Sequence, residues 1–476
     1  MIFMKNRITS SLILIAMVAS AVSCGQDAGA DTQTSVDTES FVSESGTEPD
    51  IYAGLPTGDY QGADFNIFNT TMSWSYCALD FDEKTNDVLD DAVYDRTRKV
   101  EDKLKVKIHV SEMPLWSGAP DHVRNAIGSG DNEYDLLYMG VLEAAPMFPE
   151  KLFTDLYSVG ELDLSKPWWD QRSQKMYEVD GKLFMAHGSS NLSYYDAAWV
   201  MFYNKAMLET LGLDPLYSKV DEGKWTFDEL QRYMTTAAAD LDGDDDMDEN
   251  DRLGLIVHAG ATLALLHGAD ERGIAVENGR FTVPELTQRM DDVVTRIQSI
   301  FTNKKEVLLE GDKALFSSGH TLFLAQVLGA SKGFRSMMND FGIIPLPKYD
   351  ETQSDYISYL SPSATAALIP STLDSERLSR SAVVLENMSA LSYETTVPAY
   401  YGITLNGKIV RDDDSTRMLK RILSSCECEA AYVFGFGEYQ TVLTGLMTLD
   451  KSVASTIESN RTRINNVINK FYKSFE

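Results

Sequence analysis

DFNIFN, from Asp64 to Asn69, alternates polar and apolar side chains with the period of two that a half-buried strand requires. Behind it Leu89, Val93, Val100 and Leu104 recur at helical spacing, and VKIHV, from Val106 to Val110, returns to alternation. Strand, helix and strand in that order form a β-α-β opening, and the rest of the chain continues in kind. A short helical stretch is expected around Val123 to Ile127, then a buried strand over Leu136 to Met139 that ends at Gly140. AWVMFY, from Ala198 to Tyr203, reads as a buried strand leading into a helix. Thr226 and Glu229 form a capping box ahead of a helix whose apolar face is Phe227, Leu230, Met234 and Ala237. Asn278-Gly279, between Val276 and Phe281, marks a tight hairpin. A long helix follows Pro284, with Leu286, Met290, Val293, Ile297 and Ile300 on one side, and Val453 to Phe475 is a last amphipathic helix. No internal repeat interrupts this pattern, so the fold class is α/β with mixed sheets.

Ahead of that body stands an export signal. Lys5 and Arg7 supply a positive start, and LILIAMVASAV, from Leu12 to Val22, is apolar but too short to span a bilayer. Cys24 closes the segment. Ala21, Val22 and Ser23 before it resemble a bacterial lipobox, with Ala21 where Leu is commoner, so residues 1–23 are expected to leave and Cys24 to be acylated. The competing reading is a general secretory signal cut near the same place. Two or three acyl chains, at about 0.8 kcal/mol per buried CH₂, hold a protein firmly on a membrane. From Gly25 to Asp50 the chain has seven carboxylates, no Lys or Arg and one aromatic residue, Phe41. Such a stretch buries too little apolar surface to offset its ordering entropy, so residues 24–58 read as an acidic tether with a span on the order of 30 Å.

Charge and cysteine usage narrow the partners. The net charge is −30, which argues against nucleic acid and anionic lipid surfaces, whose binding relies on positive charge. More than four hundred residues follow Asp50, enough for two domains, and no second apolar stretch is long enough to span a membrane. Cys77, Cys426 and Cys428 remain besides Cys24; an odd number leaves at least one thiol free and implies no disulfide framework.

DLDGDDDMDEND, from Asp240 to Asp251, is the strongest chemical motif. Counting Asp240 as position 1, Asp240, Asp242, Asp244, Asp246, Asp248 and Asp251 fall at 1, 3, 5, 7, 9 and 12. A tight loop with this spacing turns alternate oxygens inward toward a hard cation such as Ca²⁺, as in EF-hand-like and dockerin-like loops. It departs from them at position 6, where the sharp-turn glycine is Asp245, and at position 12, where Asp replaces Glu. A solvated acidic loop is the alternative. Carboxylates this dense repel one another unless a cation sits among them, so a structural Ca²⁺ is the expectation.

Enzyme signatures are missing: there is no HExxH, no GxSxG and no phosphate loop. Aromatic residues in polar loop settings stand out instead, namely Trp74, Trp168, Trp169, Tyr194, Tyr195, Tyr400 and Tyr401. Sugar rings stack their C–H faces on aromatic planes, so these are candidate binding walls; core or interdomain packing is the competing role.

Seven segments then occur in order: YDLLYMG (Tyr134 to Gly140), LSKPWWD (Leu164 to Asp170), VDGKLFMAHG (Val179 to Gly188), VMFYNKAMLETLGL (Val200 to Leu213), GKWTFDEL (Gly223 to Leu230), ALFSSGHTLFL (Ala314 to Leu324) and FGIIPLPKYDETQSDY (Phe341 to Tyr356). Together they resemble the extracellular solute-binding lipoproteins of bacterial ABC importers, the two-lobed periplasmic-binding-protein class that includes maltodextrin-binding proteins. The resemblance implies residues 59–190 with 350–400 as lobe one and 191–349 with 401–476 as lobe two, joined by a hinge, with the ligand cleft between them. It implies a first crossover near His187 to Asp196, a return near Lys348 to Tyr356 and a last crossing near Tyr400. It adds Tyr138 and Gly140 to the candidate ligand residues. The implied function is a monomeric receptor, not an enzyme, that captures a solute by closure and delivers it to an ABC permease from the outer face of the membrane. A neutral carbohydrate is the first expectation for the solute and a cationic ligand the second. The rivals are a surface-attached glycoside hydrolase and a calcium-stabilised glycan-capturing or adhesion lipoprotein.

Overall fold

The computed structural model describes residues 52–277, 279–334, 337–406, 413–449 and 451–475. Cys24, the signal segment, most of the tether and Asn278 lie outside them. Ala63–Thr71 and Val106–Pro114 pair in parallel along their whole length, and Leu136–Gly140 pairs in parallel on the other side of Ala63–Thr71. The crossover is helix Val88–Leu104. Asp87 caps it by accepting the N–H groups of Leu89 and Asp90, and Leu89, Val93, Val100 and Leu104 are buried. Lys105, at φ 54°, turns the chain into the next strand. A fourth strand, Thr365–Leu368, joins antiparallel to Leu136–Gly140 from far later in the chain.

A second sheet takes its strands in the order Phe341–Ile344, Trp199–Asn204, Thr321–Val327, Leu253–Val257 and Val307–Leu309. Its first two junctions are antiparallel and its last two parallel, so both sheets are mixed. Trp199–Asn204 and Leu253–Val257 are buried at every position, which is why they read as unbroken apolar runs.

Two lengths of chain pass side by side between the sheets. Ala186 pairs with Ala367 at one end of this ribbon and Ala198 with Leu360 at the other, both antiparallel. Between them Ser193 Oγ accepts the Thr365 N–H at 3.0 Å and lies 2.9 Å from Thr365 Oγ1. Lys348 stays with the second sheet's side, since its backbone bonds to Trp225 and Phe227; the passage itself is made over Leu360 to Thr365. Later, helix Thr396–Asn406 packs on Val88–Leu104 and Ser375–Glu394, whereas Asp413–Leu423 packs on strand Phe341–Ile344. Phe434 meets both Phe148, which follows the first sheet's third strand, and Phe281, in the hairpin beyond the second sheet.

Local detail departs from the sequence reading in places. Thr226 accepts the Glu229 N–H at 3.4 Å, but the Glu229 carboxylate turns to Arg232 and Lys219, so only half of the capping box forms. Thr287 caps helix Gln288–Phe301, which leaves Leu286 ahead of it, while Met290, Val293, Ile297 and Ile300 are buried. Strands Ala275–Glu277 and Arg280–Thr282 pair antiparallel around Gly279, at φ 76°. Cys77, Cys426 and Cys428 are free, buried thiols, and among the described residues no helix is long and apolar enough to cross a membrane.

Candidate functional site

A cavity of about 300 Å³ opens where the segment Pro167 to Asp170, the passage His187 to Tyr195, Tyr401 and the end of helix Asp413–Leu423 converge. The backbone builds the first wall. Asp170 N–H donates to the His187 carbonyl and Ser189 N–H to the Trp168 carbonyl, which sets Trp169 opposite Gly188. A Cβ on Gly188 would stand 2.7 Å from the Trp169 ring, so this stacking of indole on backbone needs glycine. Tyr194, Tyr195 and Tyr401 supply further rings, Tyr195 meeting Tyr401 edge to face at 5.8 Å. Lys420, Leu423 and Ser424 close the far side.

Behind the wall the proton positions are fixed by elimination. The Thr365 carbonyl can only accept, so His187 Nδ1 carries the proton at 3.1 Å, and Nε2 accepts from Tyr177 Oη at 2.9 Å. Tyr177 Oη in turn accepts from Cys428 Sγ at 3.2 Å. Burial lowers the His187 pKa to about 4, which keeps this neutral tautomer in place at ordinary pH. A second cavity of about 430 Å³ adjoins the first at Ser424 and is charged, with Arg172, Asp221, Arg421 and Glu427 in its lining.

Five of the nine candidate ligand residues, Trp168, Trp169, Tyr194, Tyr195 and Tyr401, meet at the first cavity; the other four do not line it. Tyr138 is 1 % exposed in the middle of a covered sheet, and its hydroxyl lies 2.6 Å from Ser190 Oγ. Gly140 ends that strand against Leu115, whose Cδ1 would be 2.3 Å from a Cβ. Tyr400 is enclosed and donates to Asp196 at 2.7 Å. Trp74 packs beside Met72, Cys77 and Leu115 and presses its backbone on Gly329. The sequence reading passed over His187, Lys420 and Glu386. Glu386 had one signal, a lone carboxylate inside the apolar run AVVLENMSAL. Trp116 was also passed over: it is 63 % exposed at the carboxyl edge of the first sheet, at φ 63°, with its N–H held by Glu143.

The acidic loop is closed at its base by paired backbone bonds between Ala239 and Arg252. Asp240, Asp242 and Asp244 each place a carboxylate oxygen within 4.8 Å of the others. Asp245, at position 6, stands at φ 65°, the left-handed turn for which glycine was expected and which Asp tolerates. Asp240 accepts the N–H groups of Gly243 and Asp245, and Asp251, which is buried, accepts those of Leu241 and Asp248. Those last two bonds lower the Asp251 pKa, while desolvation and then the charge of Asp244 raise that of Asp242. The loop therefore gathers three exposed carboxylates at one end and is tied at the other by the buried Asp251.

Residues 99–264 match the family described as bacterial extracellular solute-binding protein. A search of curated proteins finds no match. Among solved structures, the sugar-binding protein MalE from Xanthomonas citri shares 12 % identity at a TM-score of 0.62, covering 87 % of this chain and 99 % of that one. The GacH receptor of Streptomyces glaucescens, solved unliganded and with acarbose, shares 14 % at 0.58, covering 86 % and 99 %. The galacto-N-biose/lacto-N-biose I-binding protein of an ABC transporter from Bifidobacterium longum, in complex with lacto-N-biose, shares 14 % at 0.58, covering 87 % and 99 %. Over residues 99–264 the chain therefore carries the pattern of the bacterial extracellular solute-binding proteins, and its described residues have the two-lobed α/β fold of those sugar-binding structures.

Proposed function

We propose that this chain is an extracytoplasmic receptor that captures a small carbohydrate and hands it to an ABC-type permease, without covalent chemistry. The observation that carries the reading is the aromatic cavity at the passage between the two sheets, with Trp169, Tyr195 and Tyr401 beside the polar groups of Asp170, Ser189 and Lys420. Rings present flat apolar faces to a sugar while the polar groups take its hydroxyls. A thermal-shift screen of the purified mature chain against oligosaccharides, peptides and polyamines is the test. We expect stabilisation by an oligosaccharide that is lost, by tenfold or more in affinity, in Trp169→Ala. Release of sugar products would overturn the reading in favour of a hydrolase, and stabilisation by polyamines alone would overturn the carbohydrate.

Two further parts of the reading concern the chain outside the cavity. Cys24 is the acylated residue that tethers the receptor near its permease, raising effective concentration without new contacts. Cys24→Ser is expected to free the protein from membranes, and unchanged retention would refute the anchor. The loop Asp240 to Asp251 binds Ca²⁺ as a structural ion, supported by the carboxylate spacing and the left-handed turn at Asp245. Adding Ca²⁺ is expected to raise the melting temperature of the wild type and to leave Asp240→Ala unmoved. A melting temperature insensitive to chelator would exclude the site.

A further inference from the structure

Glu386 lies in the middle of helix Ser375–Glu394 and is 1 % exposed, yet it carries a carboxyl group. One oxygen accepts the Trp168 indole N–H at 3.0 Å and the other accepts the Trp169 indole N–H at 3.1 Å. An indole nitrogen is a donor only, so each tryptophan makes its single side-chain hydrogen bond to this carboxyl. The rest of the surroundings leaves the rings little freedom. Tyr52 stacks on Trp168 at 5.9 Å with the planes 8° apart, and Trp169 rests on Gly188. Facing the carboxyl from the loop ahead of the tryptophans are the N–H and the carboxylate of Asp163, and Lys166 lies over the Trp168 ring at 5.8 Å.

We infer that Glu386 is a positioning residue for the solute site: as a carboxylate it holds both indoles of the aromatic wall, one oxygen to each, and capture weakens when it takes up a proton. The inference rests on the reading of the cavity as the solute site. A protonated carboxyl keeps one good acceptor oxygen and turns the other into a hydroxyl, so one of the two indole bonds is weakened. The change falls within a working range of pH. Burial, helped by the Asp163 carboxylate, pushes the Glu386 pKa up to about 7, although the two indole N–H groups and the Asp163 N–H pull it down.

Stability and capture then run in opposite directions with pH. The folded chain binds the Glu386 proton more readily than the unfolded chain does, so this group favours folding below the ordinary glutamate pKa, and that contribution fades as pH rises through about 7. Ionisation meanwhile restores the second indole bond. A merely structural carboxyl would move stability alone.

The test titrates the tryptophan emission of the purified mature chain from pH 5 to 9 without solute, and repeats affinity measurements with maltotriose as the probe at pH 5.5 and pH 8. An emission transition near neutral pH is expected, absent in Glu386→Gln. In Trp169→Phe, which removes one donor to the charged form, the transition is expected at higher pH. Maltotriose affinity is expected to be about fivefold weaker at pH 5.5 than at pH 8 in the wild type only, the weight of one hydrogen bond. A titration that neither Glu386→Gln nor Trp169→Phe alters overturns the inference. The transition present, with no oligosaccharide bound at either pH, leaves Glu386 holding the wall but removes the cavity as a solute site.

Discussion

Glu429→Ala is expected to lower unfolding stability by about 4 kcal/mol or more, read as a fall in denaturant midpoint, because it orphans several buried donors at once. Glu429 is fully buried and accepts four N–H groups: His267 Nε2 at 3.1 Å, Gly273 at 2.9 Å, Ile274 at 3.0 Å and Ala431 at 3.1 Å. Those bonds tie helix Ala261–Gly268, the chain leading to the hairpin at Ala275, and the short helix Ala430–Val433 to one point. Glu429→Gln is expected to recover only part of the loss, since its amide would turn a donor toward donors. The pH dependence has a definite sign. Burial works to raise the Glu429 pKa, but the His267 bond and the backbone N–H groups bring it below its ordinary value, so its contribution is lost as pH falls through that lowered pKa. Burial, with the nearby Arg272 charge, lowers the His267 pKa; the unfolded chain then takes up a histidine proton that the fold refuses. Both groups make the protein acid-labile, His267 from its ordinary value of 6.5 downward and Glu429 below its ordinary 4.5. Glu429→Ala is therefore expected to flatten unfolding only below about pH 4.5 and to leave the His267 slope above it in place. An unchanged midpoint in Glu429→Ala would show that the four donors find other partners.

Those donors show where reading the sequence stops. Helix Val88–Leu104 was legible because its buried face at Leu89, Val93, Val100 and Leu104 is written within one span of chain, whereas its cap at Asp87 was not read. The strand Leu253–Val257 was legible for the same reason. Glu429 and His267 are brought together across 162 positions, and Glu386 meets Trp168 across 218. Neither pair has a local signature beyond a charged residue among apolar ones. The candidate aromatic residues divide along this line. Trp168 and Trp169 were legible as aromatic residues in a polar loop setting; that Trp169 faces Gly188 across a paired backbone was not. Tyr400 and Tyr401 are neighbours in sequence, yet helical geometry sends Tyr401 to the cavity and Tyr400 to Asp196. Helix Asp413–Leu423 closes the cavity from the second sheet's side, and only tertiary packing could place it there.

Asp196→Ala is expected to cost about 3 kcal/mol and to open the molecule, because this carboxylate fastens elements of both sheets to the passage between them. Its side chain is 3 % exposed and accepts the Tyr76 N–H at 2.6 Å, the Lys332 ammonium at 2.7 Å and the Tyr400 hydroxyl at 2.7 Å. Tyr76 belongs to the loop after the first sheet's leading strand, and Lys332 to the turn Leu328–Phe334 after a strand of the second. At the same place Gly329 lets the two sides touch: a Cβ there would stand 2.5 Å from the Trp74 carbonyl and 3.1 Å from Asp196 Cβ. Removing Asp196 takes away attraction, whereas Gly329→Ala inserts bulk, so the two variants weaken one contact by independent means. Lys332, partly exposed, can turn to water when unpaired, so the cost falls on the buried contacts of Asp196 to Tyr76 and Tyr400. If about 3 kcal/mol of preference for the closed arrangement is lost, the balance between closed and open forms shifts by about a hundredfold. Solution scattering is then expected to give a larger radius of gyration for both variants than for the wild type. Solute affinity is expected to fall with it, since closure must be driven by binding alone. Asp196→Asn, which keeps one acceptor oxygen, is expected to lie between Ala and the wild type in both measurements. Equal radii for all four proteins would show that the carboxylate stabilises the chain without setting how its two halves meet.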